Sequence, residues 1–116
     1  DLVRQVPIKY KPEDLRNINW ILISHEHIDH CDPHTIPILA EVNPKAKFIG
    51  PMNVRNKLKK WKIQKSRIIE LKDKTINLIK GLDLLSVPAA HPKIVIDSDG
   101  YPKNVGWLIS NKKTRI

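Results

Sequence analysis

At 116 residues, 41% hydrophobic and 28% charged, the chain has room for one globular domain with a modest core and no more. No apolar run approaches the about 18 residues of a membrane-spanning helix, and the single cysteine, Cys31, excludes an internal disulfide and fits a reducing cytoplasm. The formal net charge of +9 keeps anionic small molecules and nucleic acids open as partners.

Asp1 to Asn19 is polar and carries Pro7 and Pro12. Its first residues have neither an initiator Met nor a signal-peptide layout and read as an internal start. Pro12-Glu13-Asp14-Leu15 predicts one helical turn, with proline at its start and acids in its first turn. Trp20-Ile21-Leu22-Ile23, leading into Ser24, is apolar throughout and too short for a helix, so it predicts a short buried strand.

That strand runs straight into Ser24-His25-Glu26-His27-Ile28-Asp29-His30-Cys31-Asp32, a stretch with three of the chain's five histidines. On an extended chain, residues two apart point the same way. The alternation predicts His25, His27 and Asp29 on one side, with His30 a turn away. Imidazole and carboxylate are the donors that zinc and similar divalent metals take. Burying so many titratable groups without a metal or a dense hydrogen-bond network would be costly. The cluster suits one ion, or two close together. Cys31 reads as a packed thiol.

Asp32-Pro33 predicts a helix start, an acidic N-cap followed by proline at the first position. Ile36, Leu39, Ala40 and Val42 give that helix an apolar stripe to about Asn43, and its N-terminus would point at the histidines and favour anions there. His34 reads as a surface residue or a support for the cluster. Asn43-Pro44 ends the helix, and Ala46 to Gly50 predicts a second strand. Pro51 opens a second helix to about Trp61, with Val54, Leu58 and Trp61 at helical spacing. Between Val54 and Arg67 lie Arg55, Lys57, Lys59, Lys60, Lys62, Lys65 and Arg67 and no acid. The run is either a solvated helix face or an attractor for an anionic substrate or nucleic acid. Trp61 is its apolar anchor or a stacking platform.

Ile68 to Leu71 predicts a third strand. Thr75 to Ile79, Lys80-Gly81 and Leu82 to Val87 predict a hairpin with glycine in the turn. The hairpin delivers Pro88-Ala89-Ala90-His91-Pro92. Ile94 to Lys103 is a loop rich in Asp, Gly and Pro, Asn104 to Ser110 is a strand, Asn111 to Lys113 a turn, and Thr114 begins another strand. No internal repeat or low-complexity linker interrupts the chain.

His25-x-His27-x-Asp29-His30 after a hydrophobic strand resembles the signature of the metallo-β-lactamase-fold hydrolases. Leu15 to Asp32 as a whole is similar to the branch that includes the ascorbate-6-phosphate lactonases and the N-acylphosphatidylethanolamine phospholipase D-like enzymes. The likeness runs from about Pro12 to the end, and the strand ending in Pro88-x-x-His91 resembles the family's next metal-binding motif. It implies an α/β chain, part of an αββα sandwich. His25, His27 and His91 would surround one divalent metal, zinc first and manganese or iron as alternatives, and Asp29 and His30 would serve a second. A three-His site with an open fourth position is what catalytic zinc needs.

The activity implied is hydrolysis of an ester, lactone or phosphodiester bond by a metal-activated water. Asp29 would orient that water or shuttle its proton, and Asp32 would fix a histidine tautomer or only cap the helix. A small anionic substrate is expected, with the loop of residues 94–103 near it. A nuclease of the same fold acting on RNA or DNA is the alternative, and a non-catalytic metal-binding fragment or interaction module is a third. In the family, opening strands precede a region like this one, and a bridging Asp and a final His follow the strand that begins at Thr114. Residues 1–116 are therefore expected to form a single incomplete domain, nearly inactive alone and prone to self-association or to pairing with a chain that completes the sandwich. A cytoplasmic location is expected.

Overall fold

A computed structural model describes residues 5–72 and 75–116. A single 3-10 turn at Pro12–Asp14 precedes β1 (Trp20–Leu22), α1 (Ile36–Val42), β2 (Lys47–Gly50), α2 (Met52–Lys60) and β3 (Ile68–Glu70). These are followed by β4 (Ile76–Ile79), β5 (Leu82–Pro88) and β6 (Val105–Ser110). β1, β2 and β3 form a parallel sheet in that order, with Ile21 opposite Phe48 and Phe48 opposite Ile68. β4, β5 and β6 form an antiparallel sheet, also in order.

Strands of a parallel sheet covered on both faces read as unbroken apolar runs. Here side-chain alternation splits each run between two cores. Ile21, Ile23, Phe48 and Ile68 pack on one side with Ile36, Leu39 and Ala40 of α1 and Val54 and Leu58 of α2. Trp20, Leu22, Ile49 and Ile69 pack on the other with Leu78, Leu84, Val105 and Trp107 of the second sheet. The result is three layers, helices on sheet on sheet, an α/β arrangement as expected. The outer face of β5 leaves Leu85 and Val87 exposed.

Two details seat the helices. Gly50 ends β2 directly beneath α2. A Cβ there would lie 2.7 Å from Val54 Cγ1 and 3.0 Å from the Ile23 carbonyl oxygen, so only glycine allows this approach. Arg67 donates through Nε to the Ala46 carbonyl and through its terminal nitrogens to the carbonyls of Ala40 and Asn43. It ties the end of α1 to the start of β2, and burial pushes its pKa down.

The elements expected from sequence are present, with two shifts, except that the strand expected from Thr114 is only an isolated bridge. β1 ends at Leu22, not Ser24. α1 begins at Ile36, four residues after Asp32. Pro33 and Pro37 have no N–H to give, so the regular ladder starts late. The Ile36 N–H reaches the Asp32 carbonyl, and the next bond runs from Leu39 to Thr35. Asp32 still caps this turn, as its carboxylate accepts from the His34 N–H and the Thr35 hydroxyl. The Thr35 bond is the main cause holding Asp32 below the usual carboxylate range. The hairpin turns at Gly81 with φ +81°. Ser110 pairs with Arg115, so the last residues fold back on β6.

Candidate metal centre

The histidine stretch leaves the parallel sheet at the C-terminal ends of its strands. Ile23 is the last residue held in the sheet, its N–H donating to the Ile49 carbonyl. The Ser24 carbonyl then accepts from Val105 of the second sheet. Beyond this point the chain is not extended, which corrects the expected alternation. The N–H groups of His30 and Cys31 both return to the His27 carbonyl, at 2.9 and 2.6 Å. The ligand types therefore gather by a turn rather than along one side of a strand. His25 is buried, at 8% exposure, while His27, Asp29 and His30 are exposed. β5 ends at Pro88 and carries His91 to the same place on a short loop, held where Ala89 donates to the Asn104 carbonyl.

All five candidate residues meet. The ligand atoms of His25, His27 and His91 lie within 4.8 Å of one another, as do those of His25, Asp29 and His30. His27 Nδ1 and His91 Nε2 are 3.0 Å apart. Two nitrogens on one tetrahedral zinc ion sit about 3.3 Å apart, so this pair is already at coordination spacing. The His25 ring centroid is 4.9 Å from that of His27, 5.1 Å from His91 and 4.2 Å from His30. His25 belongs to both groups. If one ion takes it with His27 and His91, Asp29 and His30 remain as a neighbouring pair, 3.6 Å apart.

The donor set fits a divalent cation on a further ground. His25 Nδ1 is 2.9 Å from the Ser24 hydroxyl, whereas its Nε2 is buried and has no hydrogen-bond partner. An orphaned buried ring nitrogen is rare and unfavourable. Here the ring that carries it packs among three other imidazoles. Burial first, and then the neighbouring His30, His27 and His91, lower the His25 pKa, while Asp29 acts in the opposite sense. These causes favour the neutral ring, the form that binds metal.

The residues around the cluster divide clearly. Asp32 is engaged with its helix turn and makes no bond to a histidine ring, so of its two expected roles it takes the cap. Cys31 is fully buried in the helix-side core, and burial pushes its thiol pKa up. His34 is exposed. Two features escaped sequence reasoning. Ser24 partners His25, although a hydroxyl beside a ligand-type histidine was a readable signal. Three cations of the basic run are also turned inward. Arg55 pairs with Glu70, Lys57 donates to the Glu26 carbonyl, and Arg67 holds backbone carbonyls. Of the run, only Lys59, Lys60, Lys62 and Lys65 are exposed, from the last turn of α2 onward. No periodicity distinguishes a lysine that folds back from one that does not.

A family model described as Beta-lactamase superfamily domain matches residues 1–116. The chain belongs to this family. The Caenorhabditis elegans N-acyl-phosphatidylethanolamine-hydrolyzing phospholipase D 1 is 33% identical over 60 residues, 47% of this chain and 16% of that protein. The probable L-ascorbate-6-phosphate lactonase UlaG of Salmonella heidelberg is 25% identical over 107 residues, 91% of this chain and 30% of its own length. An uncharacterized Mycobacterium tuberculosis protein is 32% identical over 74 residues, 64% of this chain and 20% of that protein. These relatives bear out the branch that Leu15 to Asp32 resembles. A Parabacteroides distasonis protein, described as a metal-dependent hydrolase, superposes with a TM-score of 0.63 at 22% identity, over 90% of this chain and 44% of its own. It supports the fold. The chain thus spans less than a third of each of these curated relatives. Among the described residues, no helix of this beta-lactamase superfamily chain is long and apolar enough to cross a membrane.

Proposed function

We propose that the chain carries the metal-binding face of a metal-dependent hydrolase acting on an ester, lactone or phosphodiester bond through a metal-activated water. One observation carries this reading: His25, whose buried Nε2 has no partner, offers a ligand atom within 4.8 Å of those of His27 and His91. In this reading His25, His27 and His91 hold a divalent ion, and Asp29 and His30 are placed for a second. An all-imidazole set favours zinc, and the mixed Asp29–His30 pair is also compatible with manganese or iron. When bound, such an ion supplies Lewis acidity, lowering the pKa of water and polarising the electrophilic oxygen. Ser24 occupies His25 Nδ1 and so keeps Nε2 turned toward the cluster. Asp29, exposed beside the group, accepts or relays the proton that the attacking water loses.

A small anionic substrate is the better match. The relatives named for a phosphorylated lactone and for a phospholipid support that class. A nuclease acting on RNA or DNA rests on the +9 charge and the basic run, and the inward turn of Arg55, Lys57 and Arg67 weakens it. The buried single cysteine agrees with a reducing cytoplasm. Residues 1–116 read as part of a larger hydrolase domain, so turnover by this chain alone is expected to fall far below that of a full-length relative.

The test is bound metal per chain, by elemental analysis after dialysis, for this sequence and for His91→Ala. Near-stoichiometric metal that falls sharply in the variant is expected. Equal metal in both proteins would remove His91 from the site, and none in either would remove the metal reading.

A further inference from the structure

We infer that Glu26, Asn53 and Lys57 form a bracket of positioning residues that sets the metal affinity of the His25–His27–His91 group. The inference rests on the metal-binding reading above. Glu26 stands between two of the proposed ligands, and both of its hydrogen bonds go to α2. Asn53 Nδ2 donates to Glu26 Oε1 at 2.7 Å, and Lys57 Nζ donates to the Glu26 carbonyl at 2.5 Å. Asn53 and Lys57 are four residues apart and share one helix face. All three residues are half-buried, so these bonds are partly shielded from competing water.

The geometry acts on His27 through the peptide group. The carbonyl of residue 26 lies in one plane with the N and Cα of residue 27. Holding that oxygen anchors the 26–27 peptide, and with it the N and Cα of His27, against α2. The carboxylate bond to Asn53 holds the Glu26 side chain against the same helix, beside the buried His25. The bracket is firm because α2 is firm: Val54 and Leu58 are fully buried on the same helix, and Gly50 brings the sheet into contact with Val54. The loop itself offers no alternative, since its next backbone bonds begin at the His27 carbonyl. Lys57 is thus not a substrate-facing charge but a strut from helix to ligand loop.

The test measures zinc affinity by competition with a chromophoric chelator, together with the visible spectrum of the Co2+-loaded chain. Lys57→Met and Asn53→Ala are each expected to weaken zinc binding by about 10- to 100-fold and to alter the intensity of the Co2+ bands. Lys57→Arg, which can still reach the carbonyl, should restore most of the affinity. Lys59→Met removes the same charge from an exposed neighbour and should bind like the parent chain. Wild-type affinity in both Lys57→Met and Asn53→Ala overturns the bracket, as does an equal loss in Lys59→Met. If Lys57→Met fails to fold by circular dichroism, Asn53→Ala decides alone. Failure of the metal reading has its own signature: the parent chain and His91→Ala would bind zinc equally weakly. Tight parent binding, weak His91→Ala and tight binding in both Lys57→Met and Asn53→Ala would defeat the bracket only.

Discussion

His25 holds its two ring nitrogens in opposite situations. Nδ1 meets the Ser24 hydroxyl, and Nε2 is buried without a partner. Ser24→Ala removes what fixes the tautomer while leaving all three imidazoles in place. It is expected to weaken zinc binding by about 10- to 100-fold, read by chelator competition, with little change in the metal-free melting temperature. The depressed pKa of His25 gives a second expectation for the metal-free chain. The unfolded chain takes up a proton at this position more readily than the folded one, so stability rises with pH where only the unfolded form is protonated. Unfolding midpoints in urea should therefore fall as pH drops below the ordinary His value of 6.5, and His25→Asn should flatten that slope.

At the level of elements, the junction of β2 and α2 decides how accurately the ligand loop is presented. Gly50 is the contact point. Gly50→Ala sets a methyl 2.7 Å from Val54 Cγ1 and 3.0 Å from the Ile23 carbonyl. Overpacking of this kind costs about 1–3 kcal/mol, measured by denaturant unfolding. Because Ile23 leads into the His25 loop, weaker zinc binding should accompany the loss. The late start of α1 belongs to the same scale. Two prolines and an Asp32 cap convert its first turn into the closure of the histidine loop, which is why Asp32 does not reach a ring.

Across the whole molecule, the proposed ligands come from both sheets. His25 and His27 follow β1 of the parallel sheet, and His91 follows β5 of the antiparallel one. An ion shared among them would tie the two layers together where Ser24 and Val105 already join by a backbone bond. Binding to the folded form alone stabilises it by about 2.7 kcal/mol when free metal is 100 times Kd. Zinc should therefore raise the melting temperature and EDTA should reverse the rise. His91→Ala, which leaves the ligands of one sheet only, should abolish both effects.

Residues 20–32 by themselves pointed to a divalent metal. An apolar run, then three imidazoles and Asp29 at close spacing, supplies the donor types that a divalent cation takes, although the fold buries only His25 of the four. The strands, the two helices and the Lys80-Gly81 turn were equally legible, since periodicity and turn residues are local properties. His91 stood out only through its resemblance to a motif. No local rule joins residues 64 positions apart, and it is the packing of one sheet on the other that brings His91 Nε2 to His27 Nδ1. The tertiary structure also decided the use of the basic run. Whether a lysine meets water or a carbonyl depends on what lies across from its helix, and for Lys57 that is Glu26.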